Sequence, residues 1–151
     1  MNSLQDEIND LIRKLGKVAD NAKVESRRAL GEGAKPLIAA IQAKAPVSPA
    51  PHFRYKNGVA IEYKPGNLRR SIRKLVFRRS SAIFVGPKVD KSGTGSMPDG
   101  YYAHFVEFGT VHQSPQPFVR PAAESVGPVA LEIAARALKR QIEKYGRTLG
   151  A

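Results

Sequence analysis

The run Leu68-Arg69-Arg70-Ser71-Ile72-Arg73-Lys74-Leu75-Val76-Phe77-Arg78-Arg79-Ser80-Ser81-Ala82-Ile83-Phe84-Val85-Gly86 decides the fold class. Ile72, Lys74, Val76 and Arg78 fall at alternate positions, and Ser71, Arg73, Leu75 and Phe77 occupy the positions between them. Period-two spacing puts each set on one face of a strand. Residues 68–79 are therefore read as one strand, with both faces partly covered because neither set is uniformly apolar. Ser80-Ser81 turns the chain, and Ala82 to Gly86 reads as a second short strand.

The segments on either side are helical by pattern. Leu4, Ile8, Leu11, Leu15, Val18 and Ala22 recur at spacings of four and three residues, a narrow apolar stripe on a helix. Ser3 is a suitable N-cap, and Asp6 and Glu7 stand where a helix dipole favours carboxylates. The pattern weakens at Gly31, Gly33 and Pro36. Pro36 either kinks a continuous helix or starts a second one, and Ala45-Pro46 ends it. At the other end, Val126, Val129, Ala130, Ile133, Ala134, Ala137, Leu138, Ile142 and Tyr145 form one face of a helix from about Ala122 to Tyr145, with Gly146 as its cap.

Between the first helix and the strands, Pro46, Pro49, Pro51 and Pro65 punctuate an irregular stretch. Within it, Asn57-Gly58 is a turn signal flanked by Phe53/Tyr55 and Val59/Ile61/Tyr63, the pattern of a small hairpin. Residues 88–100 carry Gly93, Gly95, Pro98 and Gly100 and read as a flexible loop. Val111 to Pro121 holds three prolines and reads as extended. Helices at both ends and short antiparallel strands in the middle make an α+β protein, a single domain over residues 1–151.

Composition narrows the function. The chain has 151 residues, with 25 Lys and Arg against 13 Asp and Glu, a net charge of +12. It has no cysteine, which excludes a disulfide scaffold, a Cys-ligated zinc site and thiol catalysis. The longest strictly apolar run is Leu37 to Ile41, too short to cross a bilayer. Six cations, Arg69, Arg70, Arg73, Lys74, Arg78 and Arg79, lie within residues 69–79 without an acid among them. They form a basic surface that suits phosphates or an acidic protein, or else a solvated sheet face.

No catalytic constellation is visible: no paired carboxylates, no nucleophile elbow, no Ser with an identifiable His and Asp. His104, Glu107 and His112 are close in sequence, but their spacing matches no zinc signature, and no cofactor or metal is expected. The run Lys91-Ser92-Gly93-Thr94-Gly95-Ser96 lacks the Gly-Lys-Ser/Thr ending of a phosphate loop. Glu107 is flanked by Val106 and Phe108, so it needs an arginine or hydrogen-bond donors to offset desolvation.

The order of the segments carries more than any one of them. Ala45-Pro46-Val47 is followed by Gly66-Asn67-Leu68-Arg69-Arg70-Ser71-Ile72 and Val85-Gly86-Pro87. Then come Tyr102-Ala103-His104-Phe105-Val106-Glu107-Phe108-Gly109-Thr110, Pro115-Gln116-Pro117-Phe118-Val119-Arg120-Pro121-Ala122 and the last helix. Over roughly residues 20–145 this resembles the bacteriophage neck and tail-component family of long-tailed phages, the gene-product-ten-like proteins. The blocks around Glu107 and Phe118 carry the resemblance together. In that family the Ala-Pro-Val block runs almost directly into the Gly-Asn-Leu block. Here residues 48–65 intervene, an inserted hairpin or arm.

The resemblance implies a structural virion protein of the head–tail connector, a tail-completion protein rather than an enzyme. It implies copies joined in a closed six-fold ring. It also implies contact with adjacent neck proteins (a head-completion, stopper or adaptor protein), with the tail terminator or tail tube, and with DNA in the channel, but with no membrane. The expected location is the virion neck, and the host cytoplasm during assembly. Under this reading Tyr102, Phe105, Glu107 and Phe108 build the core and lock Gly109-Thr110 in a tight turn. Phe118 and Arg120 anchor the Pro-rich segment. The alternative is a basic nucleic-acid-binding module outside any virion, which rests on charge alone.

Overall fold

A computed structural model of the chain describes residues 4–149 except 57, 78, 79, 81 and 91–96. Asn57, Ser3, Arg78, Arg79, Ser81, Gly93 and Gly95, and the expectations attached to them, lie outside the described residues. The element order is α1 (Leu4–Lys44), β1 (His52–Lys56), β2 (Val59–Tyr63), α2 (Asn67–Ser71), β3 (Ile72–Val76), β4 (Ile83–Pro87), α3 (Ala103–Phe108) and α4 (Val119–Leu149). The protein is α+β, with a long helix at each end and two separate two-stranded antiparallel sheets between them.

α1 runs through Pro36 as one helix. The proline leaves only the carbonyl of Glu32 without its amide partner, a cost that packing on both sides offsets. α1 lies against α4, and Gly33 marks where they touch. A Cβ at Gly33 would stand 2.3 Å from the carbonyl oxygen of Ala130 and 2.9 Å from the Cβ of Ala134. Only glycine permits that approach, and Ala130, Ala134 and Ala137 keep the facing side thin.

The core sits at the C-terminal half of α1. Ile41 and Ala45 of α1, Leu68 of α2, Ile72 of β3, Ala103 and Val106 of α3, Phe118 and Ala122 form one buried cluster. Phe118 has no exposed surface at all. Hydrogen bonds fix the smaller elements to α1: Gln42 Nε2 donates to the Ile72 carbonyl at 3.0 Å, and Arg27 Nη2 to the Ser80 carbonyl at 2.8 Å.

The structure corrects three boundaries. The expected strand from Leu68 to Arg79 is a short helix, α2, followed by β3. Leu68 enters the core and Asn67 bonds elsewhere, and these tertiary contacts override the alternation over residues 68–71. α4 begins at Val119, ahead of the expected Ala122, because its first amides are capped from outside the helix, as described below. At its far end α4 continues through Gly146 to Leu149, so Gly146 is not its cap.

Candidate functional site

The candidate surface is built around a corner between α3 and α4. α3 ends at Gly109, whose φ of 77° is open to glycine. A Cβ there would also meet the Gln113 carbonyl oxygen at 2.8 Å and Pro115 at 2.9 Å. The chain then folds back sharply. Thr110 N–H donates to the Gln113 carbonyl at 2.9 Å, and Gln113 N–H to the Thr110 carbonyl at 3.3 Å. Gln116 N–H returns to the Val106 carbonyl at 2.8 Å, which brings residue 118 alongside Glu107.

Glu107 caps α4 from a distance. Its Oε2 accepts from the amides of Phe118 at 2.8 Å and Val119 at 3.0 Å, and its Oε1 accepts from that of Arg120 at 3.1 Å. The next residue, Pro121, has no amide hydrogen. The four amides that a helix start leaves unpaired are thereby all accounted for. Burial pushes the Glu107 carboxyl up, but the amides of Val119, Phe118 and Arg120 and the nearby Arg120 charge outweigh it. The net shift is below the ordinary value of 4.5. The helix dipole acts in the same direction. Thus the two sequence blocks around Glu107 and Phe118 are halves of one device: one supplies the acceptor, the other the donors.

The corner exposes its aromatics. Tyr102, Ala103 and Val106 pack on the core, whereas Phe105 and Phe108 do not. Phe108 is 75 % exposed and Val111 95 %. The expectation that Phe105 and Phe108 build the core is corrected: on a six-residue helix their positions fall on the side away from α1. His104 lies on the exposed side too, its ring against Phe105. Glu107 is committed to amides, and among the described residues no group of three His, Asp or Glu side chains converges as a metal would need.

Beside the corner lies a polar hub that sequence reasoning missed. Asp99 is 1 % exposed. Its Oδ1 accepts from the amides of Asp90 at 3.0 Å and Tyr101 at 3.1 Å, and its Oδ2 from the Tyr63 hydroxyl at 3.0 Å. Asn67 bonds both backbone groups of Asp99, donating from Nδ2 to its carbonyl at 2.6 Å and accepting its amide at Oδ1 at 3.1 Å. The only sequence signal was the Asn of the Gly66-Asn67-Leu68 block. Burial, then the hydrogen bond that the hydroxyl donates to the Asp99 carboxylate and that carboxylate's charge, push the Tyr63 phenol up to about 12.

The hub ties the hairpin down. His52 stacks on Tyr63 at 5.3 Å and meets Tyr102 edge-on at 5.1 Å. The Arg54 guanidinium lies 4.1 Å from the centre of the Tyr101 ring, a cation–π contact. The pairing Phe53↔Glu62, Arg54↔Ile61, Tyr55↔Ala60 puts His52, Arg54, Ile61 and Tyr63 toward the body. Phe53 and Tyr55 are left on the outer side, 60 % and 76 % exposed.

The basic residues do not share one face. Arg69 and Arg70 are exposed on α2, and Arg70 Nη1 donates to the Pro65 carbonyl. Arg73 and Lys74 are neighbours on β3 and so point to opposite faces, with Lys74 lying over Gly31 of α1.

The family model described as "Bacteriophage HK97-gp10, putative tail-component" matches residues 9–109, more than half of the chain. That span holds most of α1, both hairpins, α2 and α3, and ends just after Glu107; the Phe118 block lies beyond it. No curated protein and no solved structure matches the chain. The chain belongs to the HK97-gp10-like family of bacteriophage tail components.

Proposed function

We propose that the chain is a tail-completion protein, a structural subunit that closes into a ring at the head–tail junction and joins the tail to the DNA-filled head. As a phage tail component it belongs in the virion. The observation that carries the ring reading is surface left uncovered. The chain exposes 10821 Å², whereas a compact monomer of 16.5 kDa exposes about 7,500 Å². Large apolar side chains are spread over that surface. Phe105, Phe108 and Val111 stand on the capped corner, Phe53 and Tyr55 on the anchored hairpin, and Phe77, just past β3, forms an edge-to-face pair with Phe84 of β4.

A ring subunit needs two different faces that meet each other around the circle. The capped corner and the hairpin supply preorganised aromatic anchors of the kind that dominate interfaces. Residues 48–65 act as an arm to a neighbour. Arg69 and Arg70 on α2 meet acidic groups of the neck, on a neighbouring protein or on DNA in the channel. The test is alanine replacement at exposed Phe108 and Tyr55. Each variant is expected to fold with unchanged circular dichroism and to lose ring assembly and complementation of a deletion phage. Full assembly by both variants would refute the reading.

A further inference from the structure

The first part of α1 is a helical arm whose described side chains are almost all exposed. Among described side chains of residues 6–24, all are exposed except Asp10, which is half-buried by its own ion pairs. At 1.5 Å per residue this arm projects about 30 Å beyond the core. A helix of this length that touched only water would be expected to be polar all round. This one is not: Ile8, Leu11, Ile12 and Val18 are 42 %, 57 %, 62 % and 48 % exposed.

The apolar positions have a period of 3.5. Leu4, Leu11 and Val18 fall on one register position and Ile8, Leu15 and Ala22 on the other, the a/d seam of a coiled coil. Ile12 and Ala19 extend the seam on one flank. A two-helix seam needs only a and d, so the added width suits a helix that touches two neighbours.

Charge identifies the partner. Residues 4–24 hold four acids (Asp6, Glu7, Asp10, Asp20) and four bases (Arg13, Lys14, Lys17, Lys23), so the arm is neutral in a chain of net +12. Asp10 pairs with Arg13 and with Lys14, and Asp20 with Lys23. A surface made for DNA or an acidic protein would carry the excess of bases found elsewhere. A self-neutralised polar face instead lets identical arms stand together without repulsion.

We infer that residues 4–22 of α1 are an assembly zipper, in which the arms of neighbouring copies pack side by side and parallel within the ring. The inference rests on the ring reading above, because rotation about a ring axis makes equivalent arms point the same way. About two and a half heptads are too short to hold two free chains together firmly. The ring supplies the local concentration, and the arms then stabilise the closed state.

The absence of cysteine makes the test clean. Leu11→Cys and Val18→Cys are made singly in the full chain, with Asp20→Cys on the opposite helix face as control. Each is oxidised across a concentration series followed by negative-stain imaging. Parallel arms predict inter-chain disulfides at both seam positions in ring fractions and little at residue 20. Antiparallel arms can bring only one position against its own copy, so crosslinking at one seam position alone overturns the inference. Rings with no seam crosslink overturn it while leaving the ring reading intact. Absence of self-association at every concentration overturns both. Leu11→Asp, at an exposed site, is expected to keep monomer helicity and lower ring yield about tenfold; undiminished yield counts against the zipper.

Discussion

Replacing Glu107 by glutamine removes one charge and leaves the side chain's shape almost unchanged. In the wild type, the carboxylate accepts from the amides of Phe118, Val119 and Arg120. Glutamine has one oxygen for that task, and its NH2 group must face at least one N–H. A hydrogen bond to a charged group contributes about 1.5–3 kcal/mol, and a charge at a helix start about 0.3–1 kcal/mol. The remaining neutral oxygen recovers part of this, which leaves a loss of about 2 kcal/mol, or about 4–8 °C in Tm for a chain of this size. The pH dependence makes the test specific. The folded-state pKa of Glu107 is lowered from 4.5, so its stabilisation is fully present well above 4.5 and is lost as pH falls through the folded value. Urea unfolding followed by circular dichroism at pH 7 and pH 3 is the assay. Wild type is expected to exceed Glu107→Gln by about 2 kcal/mol at pH 7, with the gap narrowing strongly at pH 3. An equal gap at both pH values, or none at pH 7, would refute the capping argument.

Three further outcomes are expected. Phe118→Ala empties a fully buried site and should cost about 3–5 kcal/mol in chemical denaturation. Gly33→Ala drives a methyl into the Ala130 carbonyl and should lower stability by about 1–3 kcal/mol, whereas Gly127→Ala, with open space around it, should not. Asp99→Asn should free the Tyr63 phenol to ionise at lower pH, read as ultraviolet absorbance of phenolate. In the wild type the Tyr63 pKa is raised to about 12, so that part of stability holds below pH 10 and is lost as pH rises through 12.

Some of this was legible in residue order. The narrow apolar stripe from Leu4 to Ala22 and the alternation of Phe53/Tyr55 and Val59/Ile61/Tyr63 are local patterns, and the helix α1 and the β1–β2 pairing answer to them. The need of Glu107 for a partner was also readable, since a carboxylate between Val106 and Phe108 cannot be left bare. Its partner was not readable, because the donors are backbone amides and carry no side-chain signature. Asp99 escaped for a related reason: its role depends on Asn67 and Tyr63, more than thirty residues away. Residues 68–71 alternate like a strand yet form α2, because Leu68 is drawn into the core beside Ile41. Phe105 and Phe108 read as core by chemistry alone. Their exposure on α3 is visible only once the helix is placed, and that exposure turns them from packing residues into candidate interface anchors.

Imaging of the full chain by negative-stain electron microscopy over a rising concentration series tests the central claim most directly. Closed rings of one size are expected, with Phe108→Ala and Tyr55→Ala blocking them. Particles that remain single chains at every concentration would contradict it.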